Sequence, residues 1–262
     1  MHKIISLSRF LVAAAVLSLG VFVSVAHATH SWGNYHWART ANPFTLKLGS
    51  NVSSAWTAIL TTASVDWSAS NVLDMALVPG QSNPSCKATK GRVEVCNKTY
   101  GNNGWLGIAQ VWASGNHITQ GTVKLNDTYF NTVAYNTPAW RQFVTCQEVG
   151  HTLGLDHQDE NFNNSNLGTC MDYTNDPSRN DELANNLHPN QHDYDELALI
   201  YAHLDASNTF SQSSGGGASG KPADDPSAWG KAVRRDAHGA GLLYERDLGN
   251  GEKLFTFVTW AR

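Results

Sequence analysis

Past residue 28 the sequence has no apolar run long enough to cross a bilayer, no run of basic residues and no internal repeat. The first absence argues against a membrane-spanning mature chain. The second argues against nucleic acid as a partner, because phosphate contacts need clustered Lys and Arg. The third argues against a repeat array. Lysine is scarce and cysteine is limited to four residues. The formal charge is only −4, so no strong field of one sign marks the molecule. Asn, Ser, Thr, Gly and Trp are abundant instead, a composition suited to polar loops on an exported protein.

Residues 1–28 are expected to be a secretory signal peptide. Lys3 and Arg9 supply the positive start, "FLVAAAVLSLGVFVSVAHA" the apolar run, and Ala26-His27-Ala28 a small-x-small cleavage site. A membrane anchor is the competing reading, disfavoured by that ending and by the polar "THSWGNYHW" that follows. Loss of two cations with the leader takes the charge from −4 to −6. The mature chain is therefore expected to be secreted, or periplasmic in a Gram-negative source, with no stable membrane association. Between Ala28 and Trp37 there is no room for a long pro-segment.

Four cysteines in an exported chain suggest two disulfides, with three possible pairings. Neighbourhood favours Cys86–Cys96 and Cys146–Cys170; a free Cys146 or Cys170 acting as a soft metal ligand is the alternative.

"NPFTLKLG" alternates as a half-buried strand does, and "NVSSAWTAILTTASVDW" has helical spacing with Ser50 or Asn51 as cap. "NVLDMALVPG" reads as a strand, "GRVEVCNKTYG" as a hairpin arm, and "WLGIAQVWAS" and "HITQGTVKLND" as two more strands. "TPAWRQFVTCQEVGHTLG" predicts a helix opened by Pro138, striped by Trp140, Phe143, Val144 and Val149, and ended by Gly154. Leu155–Leu187 is polar and irregular, and "HPNQHDYDELALIYAHL" predicts a last helix. This order implies an α+β domain over 29–206. A Gly/Ser/Pro-rich linker is expected at 207–230 and a β-hairpin extension, signalled by "GNGE", at 231–262.

The chemistry concentrates in "CQEVGHTLGLDH". Gln147 and His151 lie four apart, on one face of a helix. Glu148 stands beside that face, and Gly154 permits a turn that returns His157 to the same point. Two ligands four apart, an adjacent carboxylate and a third ligand after a turn suit a zinc ion with one open position. "TCMDY" adds Met171, followed two residues later by Tyr173.

Together these residues resemble the metzincin clan of zinc endopeptidases, matrixin-like and astacin-like, over about residues 40–205. The resemblance implies a twisted mixed sheet, an active-site helix and a Met-turn. It also implies Zn2+ held by Gln147, His151 and His157, with Glu148 as general base and Tyr173 as ligand or oxyanion stabiliser. Met171 would be an apolar floor. The expected partner is a protein or peptide substrate, laid along an edge strand within "GWLGIAQVWAS".

The departure is Gln147, where the clan places histidine. Three outcomes are open: Gln147 ligates through its oxygen; Tyr173, Asp156 or water completes the shell; or the metal is lost and the fold binds rather than cleaves. Asp156 and Asp159 could hold His157 or Tyr173, or could be solvated loop acids. The sequons at Asn51, Asn97, Asn126 and Asn163 decide nothing in so Asn-rich a chain. The C-terminal hairpin has three possible roles: covering the cleft, docking on the sheet or recruiting a partner.

Overall fold

The computed structural model describes residues 29–82, 85–180, 184–210 and 223–262. The expected signal peptide and residues 211–222 of the expected linker lie outside them. The strands are β1 (His36–Trp37), β2 (Phe44–Asn51), β3 (Leu73–Pro79), β4 (Arg92–Lys98), β5 (Trp105–Ser114), β6 (His117–Asn126), β7 (Lys231–Arg235), β8 (Gly241–Gly249) and β9 (Glu252–Trp260). The helices are α1 (Ser54–Trp67), α2 (Asp127–Phe130), α3 (Pro138–His151) and α4 (Gln191–Ile200). The fold is α+β around a mixed sheet of order β3-β2-β4-β6-β5-β9-β8-β7, with β1 paired to the start of β6.

Strands β3, β2, β4 and β6 run parallel, and from β6 outward through β5, β9, β8 and β7 every pairing is antiparallel. The parallel part is fed by α1, which crosses from β2 to β3 and buries Trp56, Leu60, Ala63 and Trp67. Against that face of the sheet α3 buries Phe143, Val144 and Val149 in one apolar cluster with Leu106, Ala109 and Val111 of β5. The opposite face buries Trp105, Ile108, Val258 and Trp229. Alternation along β5 thus serves both layers, as expected of a strand covered on two sides.

The start of α3 follows its sequence closely. Thr137 caps it by accepting from the Trp140 N–H, and Pro138 occupies the first turn. Asn190 caps α4 in a reciprocal box with Asp193. At α1 the expectation fails: Ser50 and Asn51 end β2, and the cap position is Ser53. The "GRVEVCNKTYG" segment is also not a hairpin arm. It forms β4, parallel to β2 and β6, because its buried Val93 and Val95 complete the core between those strands.

The C-terminal segment departs further from a linker followed by a hairpin. Residues 223–230 pack on the sheet, with Trp229 fully buried and its indole donating to the Ala223 carbonyl. Trp105 and Gln110 of β5 donate to the Asp224 and Ala223 carbonyls. Buried Lys124 of β6 pairs with Asp224 at 2.5 Å. The expected hairpin is β8–β9, with β7 added as a third strand, and it continues the main sheet. Consequently β5, expected at an edge, lies between β6 and β9. Among the described residues no helix is long and apolar enough to cross a membrane.

Candidate metal and catalytic site

The second half of α3 carries Gln147, Glu148 and His151, all fully buried beneath β5 and β9. The helix lies close to β5 at Gly107, where a Cβ would meet Val144 Cγ1 at 2.4 Å and Glu148 Cγ at 2.9 Å. After His151 the chain reverses at Gly154, whose φ of +102° favours glycine. The reversal brings His157 back so that its Nε2 stands 3.0 Å from His151 Nε2. Met171 packs below, with its sulfur 2.6 Å from where a Cβ on Gly150 would lie. A Cys146–Cys170 disulfide fixes α3 to the segment that carries Met171 and Tyr173, and Cys86–Cys96 forms the second bridge.

The His151 Nδ1–H donates to the Leu155 carbonyl at 2.9 Å, so Nε2 carries the lone pair. Nδ1 of His157 is buried without a hydrogen-bond partner, and its nearest ionic neighbour is Asp156 Oδ1 at 3.6 Å. As a hydrogen bond, the 3.0 Å approach has His157 Nε2–H donating to His151 Nε2; a proton on Nδ1 of His157 would instead face that carboxylate and leave two Nε2 lone pairs converging. Burial holds both rings neutral, His151 with a pKa lowered to about 3 and His157 well below its usual value. Neutral imidazoles with converging lone pairs suit a cation. Two nitrogens bound tetrahedrally at about 2.0–2.1 Å lie about 3.3 Å apart, close to the separation here. The histidine pair therefore fits zinc.

Gln147 is differently placed. Its amide nitrogen donates to the Cys170 carbonyl at 2.9 Å, and its oxygen accepts from the Thr259 hydroxyl at 2.5 Å. The same hydroxyl stands 2.7 Å from Glu148 Oε1. One hydroxyl proton cannot serve both acceptors. Burial raises the Glu148 pKa to about 8, against the opposing pull of Thr259 and of backbone at Thr259 and Ala109. A protonated Glu148 donating to Thr259, with Thr259 donating to Gln147, satisfies the chain. The Tyr173 hydroxyl donates to the Val258 carbonyl at 2.6 Å, and burial raises its pKa well above the usual value. Asp156 accepts from the His157 backbone N–H and pairs with Arg234 of β7 at 2.8 Å. Asp159 accepts the Tyr173 backbone N–H through its carbonyl and turns its side chain to Asn161 and Asn164.

Strand β9 supplies residues that site reasoning from the sequence did not single out. Phe257 stacks on the His151 ring at 4.1 Å and 10°, Val258 meets Tyr173, and Thr259 joins Gln147 to Glu148. In the ladder, Gly107, Ile108 and Ala109 of β5 pair antiparallel with Thr259, Val258 and Phe257. The only sequence signal for them was the apolar run "LFTFV" after the "GNGE" turn, which marks a buried strand without saying what it covers.

No protein-family model matches the sequence, and no curated protein matches it. Among solved structures, the chain is similar to high choriolytic enzyme 1, a hatching enzyme zinc-protease from Oryzias latipes (medaka fish). The identity is 11%, the alignment covers 67% of this chain and 99% of that one, and the TM-score is 0.35. It is also similar to myroilysin, at 10% identity over 63% of this chain and 86% of that one, with a TM-score of 0.34.

Proposed function

We propose that the chain is a secreted zinc-dependent endopeptidase, held in a closed form whose groove is filled by its own β9. The observation that carries the reading is the 3.0 Å approach of His151 Nε2 to His157 Nε2 beside Glu148. His151 and His157 would hold the ion, and the Gln147 oxygen becomes free to join them once Thr259 leaves. Zinc in such a site polarises a scissile carbonyl and acidifies water. The remaining work falls to this chain's residues. Strand β5 orients an extended peptide antiparallel to itself. Glu148, ionised once water reaches it, takes a proton from the attacking water and returns it to the leaving amine. Tyr173 donates its hydroxyl to the developing oxyanion, as it now donates to Val258.

In the closed form β9 occupies the line along β5 that a substrate would take. Leu254, Phe255, Phe257 and Val258 are all buried. Burial of four such side chains contributes on the order of 6–12 kcal/mol before entropic offsets. Spontaneous opening is accordingly rare, and the closed chain should be nearly inert. The zinc-loaded full chain with Phe257→Ala and Thr259→Ala should cleave an unfolded protein at least tenfold faster than the parent, sensitive to chelator. Adding Glu148→Ala should abolish that cleavage; equal cleavage with Ala at 148 would sink the mechanism.

A second reading is favoured by one observation: both ends of the Gln147 amide are already hydrogen-bonded. On it, the chain is a secreted protease-like binding protein, catalytically weak or inactive. It requires that the opened variant cleave nothing whether or not zinc is present, which the same assay decides.

A further inference from the structure

We propose that His36, His203 and Asp205 form a second zinc site, outside the α3 cleft, which ties β1 to the segment that follows α4. Nε2 of His203 lies 3.2 Å from Nε2 of His36. Oδ1 of Asp205 lies 3.4 Å from His36 Nε2 and 3.7 Å from His203 Nε2. Ligand atoms of a tetrahedral zinc ion with bonds of about 2.0–2.2 Å are separated by about 3.3–3.6 Å. The three separations, 3.2, 3.4 and 3.7 Å, thus lie within about 0.1 Å of the spacing of neighbouring ligands.

The surroundings hold each group in a ligand-ready state. His36 is buried, and its Nδ1 lies 2.8 Å from the Asn34 carbonyl. That contact requires the proton on Nδ1 and leaves the Nε2 lone pair pointing at the cluster, the arrangement that orients metal-binding imidazoles. Asp205 has one oxygen fixed: Oδ2 accepts from the Arg39 backbone N–H at 3.1 Å and from Arg39 Nη1 at 2.9 Å. Oδ1 is left to face the imidazoles. His117, at the start of β6, brings its Nε2 to 3.2 Å from that same oxygen and steadies it from the side. A surface cleft bordered by Asn34, Asn116, Glu196 and Leu199 reaches His36 and His203, so an ion has a route in and a fourth position can face solvent.

Two imidazoles and one carboxylate select zinc over magnesium or calcium, which prefer oxygen ligands throughout. The ligands are far apart in sequence, and the ion would close a loop of more than 160 residues between 36 and 203. Closing so long a loop restricts the unfolded chain and stabilises the fold. The competing account is a proton on His203 Nε2 donated to His36, with no metal.

Zinc stoichiometry of the full chain, measured by equilibrium dialysis, separates the two. His203 has a side chain 57% exposed, so His203→Ala should leave folding intact. The variant should bind one zinc fewer per chain than the parent, and should lose at least part of the zinc-induced rise in melting temperature. His117→Ala should keep the parent stoichiometry. These readouts do not use peptidase activity: if the α3 cleft takes no zinc, the parent binds one ion and His203→Ala none. Equal stoichiometry and equal melting shifts in parent and His203→Ala, or no zinc in either, would overturn the proposal.

Discussion

The hydroxyl of Tyr173 donates to the backbone carbonyl of Val258 at 2.6 Å, across 85 residues of sequence and between the Met171 segment and the last strand. The phenol that was expected to face a substrate carbonyl faces a carbonyl of its own chain.

Removing that donor should cost a different property in each form. In the closed chain Tyr173→Phe leaves a buried carbonyl short of a partner and should destabilise by about 1–2 kcal/mol in urea unfolding. In the opened Phe257→Ala/Thr259→Ala chain it should lower kcat by about tenfold or more with little change in KM, as loss of an oxyanion donor does. A drop in KM-linked binding alone would place Tyr173 outside the chemistry.

Gln147→His tests the position that departs from the clan. The substitution removes the bonds to Cys170 and Thr259 and offers a stronger zinc donor. In the opened background, zinc affinity measured by competition with a chelator should rise at least tenfold. An unchanged affinity would mean that residue 147 does not reach the ion.

The Cys146–Cys170 bond should matter for both stability and alignment. Changing both cysteines to alanine should cost about 2–4 kcal/mol in chemical unfolding. Because Cys170 also presents the carbonyl that Gln147 holds, zinc affinity should fall alongside stability. The Cys86–Cys96 pair, on β4 and the segment before it, should affect stability only.

Glu148 gives the closed form a pH signature. Its pKa is raised by burial from 4.5 to about 8. Over that interval the folded chain keeps a proton that the unfolded chain has released, so stability falls as pH rises from about 4.5 to 8. Below the interval the contribution is fully present; above it, lost. Glu148→Gln keeps a neutral group of the same shape and removes the dependence. Metal-free melting curves of the parent should drop relative to Glu148→Gln between pH 5 and pH 8. Parallel curves would show that the carboxyl is already ionised in the closed chain.

Much of the fold of residues 29–206 could be read because its signals are local. The Thr137-Pro138 start of α3, the reversal at Gly154 after its end, the alternation in β2 and the apolar run of β5 each dictate an element from neighbouring residues. The pairing of His151 with His157 followed from helix spacing and one turn. What could not be read is long-range. Nothing in "LFTFVTW" states that Phe257 will lie on His151, because the choice of sheet partner is settled by shape and burial across more than 100 residues. The parallel placement of β4 was hidden for the same reason. The packing of 223–230 was missed because Gly, Ser and Pro dominate the composition while one residue, Trp229, determines where the segment goes.

Once β9 and β8 extend the sheet beyond β5, the free edge becomes β7, "KAVRR", five residues long and bearing Lys231, Arg234 and Arg235. Its ladder with β8 is interrupted by register shifts around Ala232, Arg234 and Arg235. A short, cationic, irregular edge resists pairing with other chains. An opened molecule would instead present the ten-residue, apolar β5. The same three strands that cover β5 therefore also protect against aggregation, and any process that removes them exposes a strand that must find a peptide or another copy of itself.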